Sequence, residues 1–296
     1  MKNNKDLLKK IRHPAETPLT VIATLITVGA YFFVSYLCIN AATDDDKIAE
    51  LTKLLGTDNV TVKSLIKFGN WAIVIIIIFI ILNLIYIDKS YIGKSSVKSV
   101  RLKDSKYSSL CDAIAQCCEK LGIKKVPIAY IESAPIDSSF LGIKIRSNDA
   151  ISIKDSELRN AEKTNDFSRV EYLIARSLAK IYLGHNSIWA NVFTFISKLT
   201  PGFNSLYERV MCYSVDNVVK YLIGKEAALK GVFDTYYGNE LYDDTADMEK
   251  IIKDKIRAEN KSESFGRFLE NVFADKPLPN YRLEALIYDN KNGKLF

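Results

Sequence analysis

The sequence predicts a mostly helical α+β protein in which two N-terminal transmembrane helices precede one folded domain with a small β-sheet. Three observations carry this. Two charge-free apolar runs of about twenty residues lie early in the chain. From about Asp88 the composition becomes that of an ordinary folded domain. Within that part, apolar residues recur mainly at helical spacing, broken by only a few short runs rich in branched and aromatic residues.

The first run is Pro18 to Ile39. The second is Phe68 to Ile87, with the unbroken stretch Ile73 to Leu82 inside it. A helix rises about 1.5 Å per residue, so either run crosses the roughly 30 Å hydrocarbon core of a bilayer with its backbone polar groups bonded internally. A cleaved signal peptide fits the first run poorly. A secretory apolar core is about 7 to 15 residues long, and no A-x-A-like site follows Cys38 before Asp44-Asp45-Asp46. A buried helix of a soluble domain fits the second poorly, because Ile73 to Leu82 leaves no polar face.

Lysine and arginine set the orientation, since cytoplasmic flanks carry an excess of them. Lys2, Lys5, Lys9, Lys10 and Arg12 precede the first run, and Lys89, Lys94, Lys98, Arg101, Lys103 and Lys106 follow the second. The stretch between holds only Lys47, Lys53, Lys63 and Lys67. Residues 1–17 are therefore expected to be a cytoplasmic tail, 18–39 and 68–87 membrane helices, 40–67 an exterior loop and 88–296 a cytoplasmic domain. The loop reads as a short solvated connection; Asp44, Asp45 and Asp46 are not followed by further ligands at the spacing of a divalent-ion loop. Much of the net charge of +6 sits beside the spans, where it faces anionic headgroups, so the lipid bilayer rather than nucleic acid is the expected partner. The five cysteines include the adjacent pair Cys117-Cys118 and no C-x-x-C, which excludes a disulfide framework and a zinc ribbon and implies free thiols.

In the domain, Leu110, Ile114, Cys117, Cys118 and Leu121 predict a helix stopped by Gly122. Val126 to Ile131 reads as a strand, and Ile143 to Ile153 as one or two more around a turn at Asn148-Asp149. A helix of some seventeen residues is expected from Ser168, where Ser168 and Glu171 match a capping box, to Gly184; Val170, Leu173, Ile174, Leu178 and Ile181 form its apolar face. Further helices are expected at Ser187–Leu199, Leu206–Leu222 and Ala227–Tyr236, and the charged stretch Arg257–Ser264 is expected to separate a last pair. Ser187–Leu199 is too short to span, and its aromatics are assigned to the domain core, with the membrane interface as the alternative.

This order of elements, two spans, then Val100-Arg101-Leu102-Lys103-Asp104, a helix, Leu121-Gly122-Ile123-Lys124-Lys125-Val126-Pro127, a small sheet and a long helix, resembles the HtpX-like family. Those proteins share a clan with the CAAX prenyl proteases and are membrane-integrated zinc metallopeptidases with a cytoplasmic catalytic domain. The likeness runs from about Val100 to Leu286 and implies a zincin-like (gluzincin) metallopeptidase-type domain and a bacterial inner or plasma membrane. Ser138-Ser139-Phe140 is similar to the family's N-A-F segment, and Ala150 to Ile153 to the strand before its catalytic helix. The run from Leu173 to His185 resembles V-I-G-H-E-L-G-H-I-x-x-G-H in its apolar frame only.

In H-E-x-x-H two histidines one turn apart ligate zinc and the glutamate activates the bound water. Here Arg176 and Lys180 stand at the ligand positions and Ser177 at that of the base. Arginine is always protonated and lysine ordinarily so, and neither then offers zinc a lone pair. The family's E-x-x-x-D corresponds to Cys212-Tyr213-Ser214-Val215-Asp216, with Cys212 in place of the glutamate, and its H-P-x-x-x-x-R-I-x-x-L to Lys276 through Leu286, with Lys276 in place of the histidine. Only His13 and His185 occur in the chain, so no other register restores the motif. No metal and no cofactor are expected, although the family carries zinc.

The expected function is that of a pseudoprotease, a membrane-anchored module that binds or regulates a protein or an extended peptide, using Ala150, Ile151, Ser152 and Ile153 as an edge strand for strand addition. In the former zinc space Arg176 or Lys180 is expected to form an internal ion pair with Asp216. The alternatives are an active membrane endopeptidase with an unorthodox site, built on Cys212 with His185 or on a Ser177–Lys180 dyad, and a structural subunit of a membrane complex.

Overall fold

The computed structural model describes residues 7–8, 10–54, 60–134, 136, 139–140, 143–144, 147–237, 254, 261–274 and 276–295. Two long helices dominate the N-terminal part, α1 (Glu16–Thr43) and α3 (Val60–Lys98), and they pack against each other. Each holds a segment long and apolar enough to cross a membrane, Glu16–Asn40 and Trp71–Lys98. Phe32, Phe33, Ile75, Phe79 and Leu82 point outward from them and leave an apolar surface.

Two expectations are corrected here. The connection between the long helices is not simply a solvated loop, because it contains α2 (Asp45–Leu54), with Ile48 buried. The second long helix does not end near Ile87 but runs on to Lys98, since nothing in Asp88–Lys98 breaks a helix and Tyr91 is buried against Tyr130 and Ala150 of the domain.

The sheet is small. β1 (Val100–Arg101) pairs antiparallel with β2 (Ile128–Glu132), and β2 pairs parallel with β5 (Ala150–Lys154) in the register Ile128 to Ala150 and Ile131 to Ile153. A separate hairpin, β3 (Ser139–Phe140) with β4 (Ile143–Lys144), lies in the connection; Ser138 lies outside the described residues. The strand order β1-β2-β5 leaves β5 at the edge.

Between β1 and β2 stands α4 (Leu110–Leu121), closed by Gly122 at φ 67° as the sequence reading has it. β5 passes directly into α5 (Asp155–Thr164), which the reading missed because only Leu158 and Ala161 of that polar segment turn inward. Next comes α6 (Ser168–Leu183), the central helix of the domain. Its expected capping box is corrected: the Ser168 hydroxyl has no hydrogen-bond partner, and Asp166 Oδ1 instead accepts the Ser168 N–H at 2.9 Å. Ser168 already lies inside the helix, one residue past the N-cap Phe167, so its N–H is met from Asp166, just before that cap. At the other end Gly184 at φ 79° lets His185 N–H reach Lys180 O and Gly184 N–H reach Ile181 O, a Schellman closure.

The core gathers around α6. Val170, Tyr172, Ile174, Ala175, Leu178 and Ala179 pack against Val215, Val218 and Val219 of α8 (Pro201–Ile223) and Val232 and Phe233 of α9 (Lys225–Tyr237). The chain ends with α10 (Lys261–Phe273) and α11 (Pro279–Ile287). Residues 255–260 lie outside the described residues, but Lys261–Ser264, expected between two helices, forms the first turn of α10.

The remaining correction concerns α7 (Ile188–Lys198). Its apolar residues were expected in the domain core, but Val192 and Phe195 pack on Leu84 of α3 with Ile80, Ile81 and Ile87 around them. Toward α1 the Ser197 hydroxyl of α7 donates to Ala23 O at 2.7 Å and lies 3.1 Å from the Thr27 hydroxyl. The interior of the domain is already filled by α6, α8 and α9, so the apolar face of α7 finds its partners on the two long helices, while Trp189 and Phe193 face outward.

Candidate functional site: a cationic cleft beside an edge strand

A cavity of about 860 Å³ opens between β5 and α6. Ile151, Ser152, Ile153 and Lys154 form one wall, and Arg176, Ser177 and Lys180, spaced to share one face of α6, line the other. Tyr91 from the extension of α3, Glu132 from β2, and Tyr236 and Lys276 from the C-terminal part close the ends. Sequence-matched positions on α6, β5 and the Lys276 segment are thus brought to one place by the tertiary fold.

Behind the α6 wall lies a buried polar chain. Arg176 donates from Nη1 to the Tyr172 hydroxyl at 3.0 Å and from Nη2 to Cys212 Sγ at 3.8 Å. The same Tyr172 oxygen accepts from Arg282 Nη2 at 3.0 Å. Arg282 in turn grips Asp216 in a fork, Nε to Oδ2 at 2.7 Å and Nη2 to Oδ1 at 2.6 Å, and gives Nη1 to the Tyr236 hydroxyl at 3.0 Å. Burial disfavours the Arg282 charge, yet Asp216 more than offsets this and holds its pKa well above the ordinary value.

The expected ion pair is therefore corrected: Asp216 belongs to Arg282, not to Arg176 or Lys180. The cause is geometric. α11 brings a fully buried guanidinium side-on to α8, where both carboxylate oxygens are met at once, and such a bidentate pair outcompetes a single contact. Arg176 stands one tyrosine hydroxyl away and still feels the Asp216 charge. Two guanidiniums, Arg176 and Arg282, thus stand near one carboxylate, and only Arg282 bonds to it.

The zinc implied by the resemblance does not fit these residues. Cys212 Sγ accepts a hydrogen bond from Arg176, and both Asp216 oxygens are held by Arg282. The cations Arg176, Lys180 and Lys276 line the space a metal would enter. Among the described residues no three His, Cys, Asp or Glu side chains stand together.

The two unorthodox catalytic arrangements fare no better. Ser177 Oγ donates to Leu173 O at 2.9 Å, the backward bond of a helical serine, rather than to Lys180. His185 Nε2 lies 2.9 Å from Glu16 Oε1, and Glu16 also takes Arg12 Nε at 3.2 Å. His185 thus serves as the socket for the start of α1, and its neighbour Asn186, not His185 itself, lines the cleft.

His13 docks nearby. Its backbone N–H donates to Ser214 Oγ at 2.9 Å, and its Nε2 lies 2.8 Å from Asn292 O. Burial lowers the His13 pKa, favouring the neutral ring that these contacts require: Nδ1 accepts from the Ala15 N–H at 3.0 Å and Nε2–H donates to Asn292 O.

Tyr172, Arg282, Tyr236 and Glu132 were absent from the site read from the sequence. Arg282 had a visible signal, an arginine directly before Leu283 in a short helix whose Leu286 and Ile287 also turn inward. Tyr172 and Tyr236 had none, because each belongs to an ordinary amphipathic pattern.

No family model, no curated protein and no solved structure matches this chain.

Proposed function

We propose that this protein is a membrane-anchored peptide- or protein-binding module built on an HtpX-like, zincin-type scaffold that has lost zinc and proteolysis. One observation carries the reading. β5 is the edge of its sheet, among the described residues no strand pairs with its outer side, and that side borders the cleft facing α6. An extended segment adds to such an edge through backbone hydrogen bonds, which need neither metal nor nucleophile. The anchor is supplied by α1 and α3, whose apolar segments are long enough to span, with both termini in the cytoplasm and α7 lying against them. Tyr91, in the C-terminal part of α3, lines the cleft, so the groove lies close to the end at which α3 leaves the membrane.

The test uses the full chain in detergent or nanodiscs and measures fluorescence anisotropy of extended, β-prone peptides. Binding is expected, and N-methylation of alternate peptide residues is expected to abolish it, because each methyl removes a ladder donor without touching the protein. Equal binding of the N-methylated peptides, or stoichiometric zinc in the purified protein together with chelator-sensitive proteolysis, refutes the reading.

A further inference from the structure

We infer that the cleft selects a carboxylate: the extended peptide presents an acidic side chain, or its own C-terminal carboxylate, to Arg176. This rests on the reading of the cleft as a peptide groove.

The argument starts from charge. Arg282 and Asp216 neutralise each other, and Arg176, which cannot lose its proton, adds one further positive charge to the same interior. Its partners there are a phenol oxygen and a thiol sulfur, and among the described residues no carboxylate lies within salt-bridge distance of it. Burial and the neighbouring Arg282 work against this charge, while Tyr172, Cys212 and Asp216 work for it and on balance hold the Arg176 pKa above its ordinary value. The guanidinium thus stays charged on the cleft wall, where among the described residues no carboxylate touches it, and an anion entering the cleft gains a direct partner.

The rest of the lining points the same way. Lys154 and Lys276 join Arg176 on the cleft walls. Of the two carboxylates present, Glu157 is already engaged by Arg169, Nε to Oε2 at 2.8 Å and Nη2 to Oε1 at 3.1 Å. Glu132 is buried at the Tyr91 end, where it accepts from the tyrosine hydroxyl at 3.4 Å. The lining around Arg176 is therefore cationic.

Geometry selects the carboxylate. Side chains of a strand added to β5 alternate between the two faces of the sheet, so every second one projects toward α6. Arg176 uses two of its five N–H donors on Tyr172 and Cys212. The others remain for a planar, two-oxygen acceptor, the group that a guanidinium fork matches best.

The experiment places the full chain in phosphatidylcholine nanodiscs and compares three labelled peptides of one length: a central Glu with an amidated C-terminus, the same with Gln, and the Gln peptide with a free C-terminus. One or both carboxylate forms are expected to bind about tenfold or more tighter than the neutral one, the range of a charge-assisted hydrogen bond. The advantage is expected to vanish in Arg176→Gln and to survive in Lys106→Gln, whose exposed side chain pairs with Glu162, neither residue lining the cleft. If all three peptides bind equally and N-methylation still abolishes binding, the groove stands and the carboxylate selectivity falls. Should none bind, the groove itself is refuted. If inorganic phosphate, or phosphatidylglycerol in the disc, competes through Arg176 while the carboxylates gain nothing over the amide, the site is a phosphate site and the inference is overturned.

Discussion

Replacing Asp216 by Asn tests the account of the interior most directly. The Arg282–Asp216 pair is 0% and 3% exposed at its side chains and bidentate at 2.6 and 2.7 Å. Breaking a buried pair by removing one partner costs about 3–5 kcal/mol, because the other charge is left uncompensated. Asp216→Asn leaves two guanidiniums, Arg282 and Arg176, joined through Tyr172 with no carboxylate between them, so the upper half of that range is expected. For a chain of this size each kcal/mol moves Tm by about 2–4 °C, and a loss of about 4 kcal/mol lowers it by roughly 8–16 °C. Arg282→Gln is expected to be milder, since Arg176 already interacts with Asp216 and partly replaces the lost cation. Arg176→Gln alone is expected to cost only about 1 kcal/mol or less, since its partners are one phenol oxygen and one thiol sulfur rather than a carboxylate. In the double variant Arg176→Gln/Asp216→Asn, about 1–2 kcal/mol of the Asp216→Asn loss is expected to return. Equilibrium unfolding in mild detergent followed by circular dichroism measures all four. An Asp216→Asn loss below about 1 kcal/mol, or no recovery in the double variant, refutes the charge balance described for the cleft.

Asp234 is buried with Oδ2 unpartnered, and desolvation raises its pKa to about 6 from 3.8, against the pull of Lys230 and Arg169. The folded state resists its ionisation, so stability is expected to rise by about 3 kcal/mol as pH falls from about 6 to about 4; pH-dependent unfolding checks this, and Asp234→Asn should remove the dependence and stabilise the protein at pH 7. Asp166 works oppositely, held down to about 2 chiefly by Lys230, so its contribution is lost only as pH falls below about 4. Gly231→Ala would place a methyl carbon 2.2–2.5 Å from the Tyr172 side chain; a loss of about 1–3 kcal/mol by overpacking is expected, together with weaker peptide binding, because Tyr172 orients Arg176. Glu16→Ala removes the shared partner of Arg12 and His185, and trypsin cleavage after Arg12, followed by mass spectrometry, is expected to accelerate about tenfold as the segment undocks.

Much of this architecture was written locally. The two long apolar helices follow from composition alone, since an uninterrupted run such as Ile73–Leu82 has no polar face to offer water. The spans of α4 and α6 were legible because Gly122 and Gly184 end them with left-handed closures that depend on a few neighbouring residues. That Arg176 and Lys180 offer a metal no lone pair when protonated likewise depends on the kinds of atoms there rather than on their placement. Tertiary structure decided everything that joins distant residues. Asp216 and Arg282 are 66 positions apart, and no periodicity says which of several cations will reach a carboxylate with both arms. The apolar face of α7 was visible, but its partners on α1 and α3 were not, because an amphipathic stripe records that it must be buried and not against what. α5 escaped notice because two inward residues in a polar segment make too weak a pattern, and β1 because two residues form a strand only when β2 is there to receive them.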